Sequence, residues 1–421
     1  MADHDEIEAL VRRLAGEAKA AARVLAAATT PRKNAVLQRA AVALAEAPGD
    51  AVLEANAKDL AYAEEAGLSA ALIDRLRLDR GRLNGVAAQV REIASLPDPV
   101  GSVSAERTLA NGLQVRRVRA PLGLIGIIYE SRPNVTADAA GLCIKSGNAV
   151  LLRGGKEAFH SNQAIAGIVG DALEAEGLPR AAATLLPTTD RRATQVMIQL
   201  AGVVDLIIPR GGEGLIRFVT ENAKVPVIQH YKGVCHLYVA ASAKLDMAEA
   251  IAVNAKTQRP SACNAVETIL VDAAVADAFL PRLDAALEKV EIRGDAGVCE
   301  RVPRARPASE ADWDTEYLDD VVSVRVVDGL DAALDHVAKH GSLHTEAIVT
   351  EDDAEAARWV REVDASLVLV NASTRFNDGH QLGLGAEMGI STTKLHAYGP
   401  MGLEELCTLK WVAYGEGQIR T

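Results

Sequence analysis

Apolar residues recur along the first 95 positions at helical spacing. Ile7, Leu10, Val11 and Leu14 fall at i, i+3, i+4 and i+7, one stripe of an amphipathic helix. Thr30-Pro31 breaks the pattern, and Val36, Leu37, Ala40, Ala41 and Leu44 mark another helix. After Pro48-Gly49-Asp50, Asp50 is expected to cap a further helix through Leu60. This stretch carries no identifiable chemistry and predicts a helical packing layer. At Leu96-Pro97-Asp98-Pro99-Val100-Gly101 the period changes. Leu113 to Arg119 alternates imperfectly, as a strand exposed on one face does. Its three arginines suit an edge hairpin or an oligomer arm better than a substrate patch.

From 120 to 240 strands and helices alternate. Gly123 to Tyr129, Ala149 to Leu152, Ala183 to Leu186 and Val204 to Ile208 read as strands. Ala137 to Lys145, the stretch from Gly155 to about Glu176, Arg191 to Leu200 and the stretch after Gly211 read as helices. Such repetition implies a mostly parallel sheet with ligands at the carboxyl ends of its strands. A second α/β unit follows. Met247 to Val253 reads as helix and Val266 to Val271 as strand. An alanine-rich stretch over 273–289, broken by Pro281, reads as helical. Strands are expected at 290–292, 320–327, 347–350 and 367–370, with helices at 330–339 and 354–363. Asn371 to Met401 is polar, glycine-rich and too long for a casual loop.

The 421 residues suffice for two or three cores. With 49% hydrophobic, 24% charged and 3% aromatic residues, the composition is that of a globular α/β protein. A net charge of −12 argues against nucleic acid or an anionic membrane surface as partner, but not against small anionic substrates. No apolar run approaches the roughly 18 residues needed to span a membrane. The acidic start, Met1 to Glu6, lacks a signal-peptide pattern. Five scattered cysteines with no metal-ligand spacing suggest reduced thiols, a cytoplasmic protein and no metal.

Three features carry candidate chemistry. Arg153-Gly154-Gly155-Lys156 and Pro209-Arg210-Gly211-Gly212-Glu213-Gly214 follow strands, where glycine backbone and a helix start can approach a phosphate. Neither is a complete dinucleotide or P-loop fingerprint, and an ordinary tight turn is the competing reading. The third is Cys263, which lies in the polar, helix-breaking stretch Asn254-Ala255-Lys256-Thr257-Gln258-Arg259-Pro260-Ser261-Ala262-Cys263-Asn264-Ala265 between a helix and a strand. Nearby cations and free N–H groups favour a nucleophilic thiolate there, although most cysteines are core residues.

Several stretches together resemble the gamma-glutamyl phosphate reductase (glutamate-5-semialdehyde dehydrogenase) branch of the aldehyde dehydrogenase superfamily. They are Pro121-Leu122-Gly123, Tyr129 to Thr136, Lys145 to Ala149, Arg153 to Glu157, Gln258 to Ala265, Asn371 to Gly379, Leu384 to Thr392 and Lys394 to Leu403. The resemblance implies an aldehyde dehydrogenase-like α/β fold: two parallel-sheet domains, an N-terminal helical layer and a small oligomerisation arm. It divides the chain into 1–240, the helices and NADP-binding domain with an arm near 104–120, and 241–385, the catalytic domain carrying Cys263. Residues 386–421 would return to the cofactor domain and subunit interface.

The implied reaction is NADPH-dependent reduction of L-glutamate 5-phosphate to the 5-semialdehyde in proline biosynthesis, through a Cys263 thioester. It implies a small-molecule substrate, a homo-oligomer and glutamate 5-kinase as a candidate partner. Asn134 is the candidate oxyanion donor, with a turn residue after Pro133 as the alternative. Arg153, Lys156, Gly211, Gly212 and Glu316 are the implied cofactor residues. Arg375 and Ser373 are candidates for gripping the substrate. Hydrolytic relatives carry a water-activating Glu in a Glu-Leu-Gly-Gly motif, and His230-Tyr231-Lys232-Gly233 stands in its place. A lost carboxylate suits a thioester that exchanges with phosphate. His230 and Lys232 would help hold an anion, a packing role for His230 being the alternative. A coenzyme A-acylating dehydrogenase, a catalytically silent scaffold and an α/β protein with an incidental loop cysteine are the competing readings.

Overall fold

A computed structural model describes residues 4–420, so Met1 to Asp3 of the acidic start lie outside the described residues. The described chain divides into two units: 1–229, 384–389 and 401–421 form the first, 230–383 and 390–400 the second. The sequence reading sets the division near 240. It falls earlier because Cys235–Val239 is a strand of the second sheet.

The first unit begins with five helices, α1 (His4–Ala26), α2 (Thr30–Ala45), α3 (Asp50–Glu65), α4 (Ala70–Leu76) and α5 (Arg80–Ser95). Val36, Leu37, Ala40, Ala41 and Leu44 are buried along one face of α2, as their spacing requires. Asp50 opens α3 instead of capping it: Gly49 is the N-cap, because a Cβ there would meet Leu44 O at 2.1 Å. Helix α3 also runs past Leu60 to Glu65. The Lys145–Ala149 motif serves this layer. The buried Lys145 ammonium donates to Asn34 Oδ1 (2.6 Å) and Ala94 O (2.7 Å).

Next come β1 (Val103–Thr108), β2 (Gln114–Pro121), β3 (Leu124–Tyr129), α6 (Asn134–Lys145), β4 (Ala149–Gly154) and α7 (Phe159–Ala175). β5 (Ala183–Leu185), α8 (Arg191–Ile198), β6 (Leu206–Arg210) and α9 (Glu213–Asn222) complete the alternation. β3 to β6 form a parallel sheet in the order β5-β4-β3-β6, and β3 is buried along its whole length. A run buried on both faces needs no alternation, which is why Leu124-Ile125-Gly126-Ile127-Ile128 reads as continuously apolar.

The second unit contains β7 (Cys235–Val239), α10 (Leu245–Thr257), β8 (Val266–Asp272), α11 (Ala273–Ala286), β9 (Glu291–Gly294), α12 (Ala296–Arg301) and β10 (Arg306–Pro307). It continues with β11 (Val321–Val327), α13 (Gly329–His340), β12 (Thr345–Val349), α14 (Asp353–Glu362) and β13 (Leu367–Val370). A two-stranded piece, β14 (Ile390–Ser391) with β15 (Gly399–Pro400), ends it. Seven strands form one parallel sheet in the order β10-β9-β11-β8-β7-β12-β13. Phe279, Leu280, Leu283, Ala248 and Ala252 pack with Leu237, Val239, Ile269 and Val271 in one core cluster. In a second cluster Trp359 stacks on Tyr238 at 5.9 Å. Pro281 lies inside α11 instead of breaking it. Proline costs the helix one N–H, and the buried face of Ala276, Phe279, Leu280 and Leu283 holds it against the core.

The chain returns to the first unit as β16 (Cys407–Tyr414), which pairs with β2 along eight residue pairs. β2 is therefore the centre of the sheet β1-β2-β16 and not the expected edge. Its arginines stack instead of repelling neighbours. Arg117 lies over Trp411 at 5.4 Å and Arg116 over Tyr414 at 5.4 Å.

Candidate active site

Four loops entering the second sheet at the amino ends of its strands carry the candidate chemistry. His230 to Gly233 lead into β7, Cys263 into β8, Glu316 into β11 and His344 into β12. Helix α10 runs to Thr257, well beyond the expected Val253, and delivers the chain almost to the cysteine.

Cys263 is half-buried in a tight turn, with Ala262 N–H donating to Arg259 O at 3.1 Å and Ala265 N–H to Ala262 O at 2.9 Å. Gly233 lies against its carbonyl, and a Cβ there would stand 2.0 Å from Cys263 O. The buried Cys235 thiol donates to the same oxygen at 3.2 Å. Asn264 donates to Asn377 O (2.9 Å), and Asn377 donates to Thr345 Oγ1 (2.7 Å). The turn is thus fixed through its backbone. Burial pushes up the pKa of Cys143, Cys235, Cys299 and Cys407, the last to about 11, so those four stay protonated.

Two imidazoles flank the cysteine. His230 Nδ1 meets Ile390 O at 3.0 Å. A carbonyl only accepts, so Nδ1 carries the proton. His344 is fully buried, its Nδ1 2.8 Å from Thr345 Oγ1, and burial pushes its pKa down to about 3. It is neutral at working pH. The two rings meet edge to face with centroids 5.4 Å apart. Arg375 donates Nε to Gln258 Oε1 at 2.7 Å, so it sits beside the cysteine loop. Burial and then Arg259 lower its pKa, while Asp378, Cys263 and Cys235 oppose them. Ser373 is buried and its hydroxyl accepts the Arg375 N–H (3.3 Å), capping a short turn. Lys232 donates to Asp314 O at 2.6 Å, which commits it to that loop.

Behind the loops lies a buried ion pair. Lys256 Nζ and Glu267 Oε2 are 2.6 Å apart with both side chains wholly buried. Glu267 Oε1 accepts the Leu318 N–H at 3.2 Å, tying the pair to the loop that carries Glu316. Burial lifts the Glu267 pKa to about 7, Lys256 opposes that, and the charge of Glu316 adds to it.

In the first unit the corresponding residues sit at the carboxyl ends of the strands. β3 and β6 are neighbours whose connections leave to opposite sides, a topological switch point. Gly212 is the N-cap of α9, with no side-chain cap, and a Cβ at Gly212 or Gly214 would meet nothing within 4 Å. An open, uncapped helix start fits a dinucleotide pyrophosphate. Glu130 Oε2 accepts the Gly212 N–H at 3.1 Å, and a Cβ at Gly211 would stand 2.4 Å from that oxygen. Arg153 is buried and donates to Gly154 O (2.7 Å) and Thr189 O (2.9 Å), bracing backbone. Lys156 is exposed over the Tyr62 ring, 5.8 Å from its centre. Asn134 opens α6 and donates to Asp138 Oδ2 at 2.9 Å. Burial raises Asp138 to about 7, with Asn134 and Arg210 opposing.

The aldehyde dehydrogenase family model matches residues 3–299. The chain is 55% identical over 412 residues to gamma-glutamyl phosphate reductase of Geobacter metallireducens, covering 97% of this chain and 98% of that one. It is 58% identical over 409 residues to that of Salinibacter ruber, covering 97% and 94%. The crystal structure of gamma-glutamyl phosphate reductase from Thermotoga maritima matches with a TM-score of 0.96 at 44% identity, covering 98% of this chain and 100% of that one. The chain belongs to the gamma-glutamyl phosphate reductases of the aldehyde dehydrogenase family. An acetylating aldehyde dehydrogenase from Geobacillus thermoglucosidasius shares the fold, with a TM-score of 0.72 at 18% identity.

In this gamma-glutamyl phosphate reductase family chain, the second unit gathers His230, Cys263, Glu316, Ser373 and Arg375 at one edge of its sheet. The first gathers Asn134, Arg153, Lys156, Gly211 and Gly212 at the other kind of edge. Sequence reasoning missed Gly233 and His344. Gly233 ends the His230-Tyr231-Lys232-Gly233 stretch that drew attention only for its missing carboxylate. His344 gives no local signal beyond being a histidine ahead of a strand.

Proposed function

We propose that this chain reduces L-glutamate 5-phosphate to L-glutamate 5-semialdehyde with NADPH, using Cys263 as nucleophile. The observation that carries the reading is the Cys263 turn, rigid in its backbone, half-open at its thiol and flanked by Arg375 and two imidazoles without a carboxylate beside them at 230–233. The thiolate attacks the acyl carbon and phosphate leaves, giving a thioester. A nicotinamide, when bound, would supply hydride to that carbon, and the Cys263 adduct would then collapse to aldehyde and free thiolate. The Cys263 N–H and the Asn134 amide are the proposed oxyanion donors, since the amide holds one N–H on Asp138 and has a second to give. Arg375 is the proposed partner of a substrate carboxylate, and Lys156 the exposed cation nearest the Gly154-Gly155 turn. Ser373 belongs to the proposal through the turn it caps, Glu316 as a ribose acceptor. Water activation is disfavoured, because no carboxylate stands at 230–233.

No helix among the described residues is long and apolar enough to cross a membrane. The same reading includes a cytoplasmic homo-oligomer, with glutamate 5-kinase supplying the acyl phosphate. The exposed Trp411 and Tyr414 support self-association.

The test is the rate of nucleotide reduction with glutamate 5-semialdehyde, in the oxidative direction. A rate with NADP that requires phosphate and disappears in Cys263→Ala, with nucleotide binding retained, is expected. A rate indifferent to phosphate, or dependent on coenzyme A, would overturn the substrate assignment. Nucleotide binding without any turnover would favour a silent scaffold.

A further inference from the structure

The nucleophile is itself one of three neighbouring metal donors, and the other two are histidines to which the reaction above gives no step. One ligand atom each from His230, Cys263 and His344 lies within 4.8 Å of the other two. A tetrahedral zinc with ligands at about 2.0–2.3 Å needs donors roughly 3.5 Å apart, so the trio is within side-chain rotation of that geometry. His230 Nδ1 is committed to Ile390 O, so Nε2 is the atom His230 would offer a metal. His344 Nε2 is buried with no hydrogen-bond partner among the described residues. An unpaired buried nitrogen is costly, and a cation is one partner that would satisfy it. The outer contacts are those a metal site requires, a carbonyl on His230 and a hydroxyl on His344 at 2.8 Å. Two nitrogens and one thiolate with no carboxylate select a borderline-soft ion over magnesium or calcium.

We propose that His230, Cys263 and His344 bind one zinc-class divalent cation, which closes the enzyme reversibly by occupying its nucleophile. On binding, the Cys263 thiol releases its proton to solvent and a sulfur–metal bond forms, with no change of oxidation state. Removing the metal restores the thiol. The site therefore reads as an inhibitory lock or a shield against oxidation and alkylation, and not as a cofactor of the reaction.

The experiment uses the full-length, reduced, chelator-stripped protein without substrate, so it stands apart from the fate of the proposed reaction. Zinc is titrated in competition with a chromophoric chelator, and cobalt is added separately as a spectroscopic probe. One zinc per chain, one proton released, a thiolate-to-cobalt charge-transfer band and protection of Cys263 from alkylation are expected. Cys263→Ser should abolish the band. His230→Gln and His344→Gln should each weaken zinc binding by at least the about 10–100-fold that loss of an outer partner costs. Cys299→Ser should leave stoichiometry and band unchanged. His230 is only partly buried, so its variant keeps the test alive if the buried His344 variant fails to fold. Absence of binding to the wild type, or zinc held equally by Cys263→Ser, would overturn the proposal.

Discussion

The two parallel sheets present their candidate residues at opposite ends of their strands. In the first, Glu130 and Gly211-Gly212 follow β3 and β6, and Arg153 is the penultimate residue of β4, at the carboxyl ends where open α/β sheets ordinarily bind ligands. In the second, His230 to Gly233, Cys263, Glu316 and His344 precede β7, β8, β11 and β12. The supports differ as well. The first edge is glycine backbone beside an uncapped helix start, open to a ligand. The second is braced by a buried ion pair, a thiol–carbonyl bond and an asparagine relay. On the proposed assignment, the lesson is that a fold-level rule about ligand position holds for a nucleotide, which needs helix starts. It need not hold for a covalent nucleophile, which needs a rigid turn.

Four measurements would break or sharpen that contrast. The largest effect is expected from Lys256→Met, which strands Glu267 in the core and should cost about 3–5 kcal/mol in urea unfolding at pH 8. The loss should shrink at pH 6, because burial raises the Glu267 pKa and removing Lys256 raises it further, so the carboxyl protonates more fully as pH falls. Equal losses at both pH values would remove the ion pair from its bracing role. Gly233→Ala drives a methyl group against the Cys263 carbonyl, and a nucleophile shifted by about 1 Å should turn over about 100-fold more slowly. Nucleotide affinity should stay within error. A parallel fall in that affinity would erase the division of labour.

Asp138→Asn should act on the first unit alone. Burial holds this carboxyl at about 7, above its ordinary 3.8, so the folded state binds the proton more tightly. Stability therefore falls as pH rises from about 4 to about 7 and is level above that. The variant should flatten this slope and gain about 2 kcal/mol at pH 8, as read by thermal melts across the range. An unchanged slope would assign the titration to another group. The smallest effect belongs to Gly212→Ala. Its φ of −67° suits alanine and the space above it is open, so folding should be unaffected. Nucleotide Kd should rise about tenfold as the methyl group covers the helix start. An unchanged Kd would remove α9 from the cofactor site.

Local pattern carried much of this fold. β3, β8, β11 and β13 announce themselves as apolar runs, and Cys263 stands out because a polar, proline-containing loop is a poor place for a core thiol. Among the strands that escaped, two show why. Cys235-His236-Leu237-Tyr238-Val239 follows a glycine and contains a histidine that is buried only because Glu346, more than a hundred residues on, pairs with it at 2.8 Å. Cys407–Tyr414 becomes a strand through pairing with β2, across nearly three hundred residues of chain. The grouping of His230, Cys263 and His344 likewise has no sequence spacing to betray it, since three separate strand entries bring it together. Pro281 misled because local propensity says break and tertiary packing says continue.

The pairing of β2 with β16 also bears on how the chain is made. A ribosome releases β2 long before Cys407, and at about 5–20 residues per second the delay is on the order of tens of seconds. Through that interval the central strand of a three-stranded sheet has an unpaired flank carrying Val115, Val118 and three arginines. Its partner does not yet exist. The arginines that later stack on Trp411 and Tyr414 serve first as gatekeepers, keeping the nascent edge from pairing with a neighbouring chain.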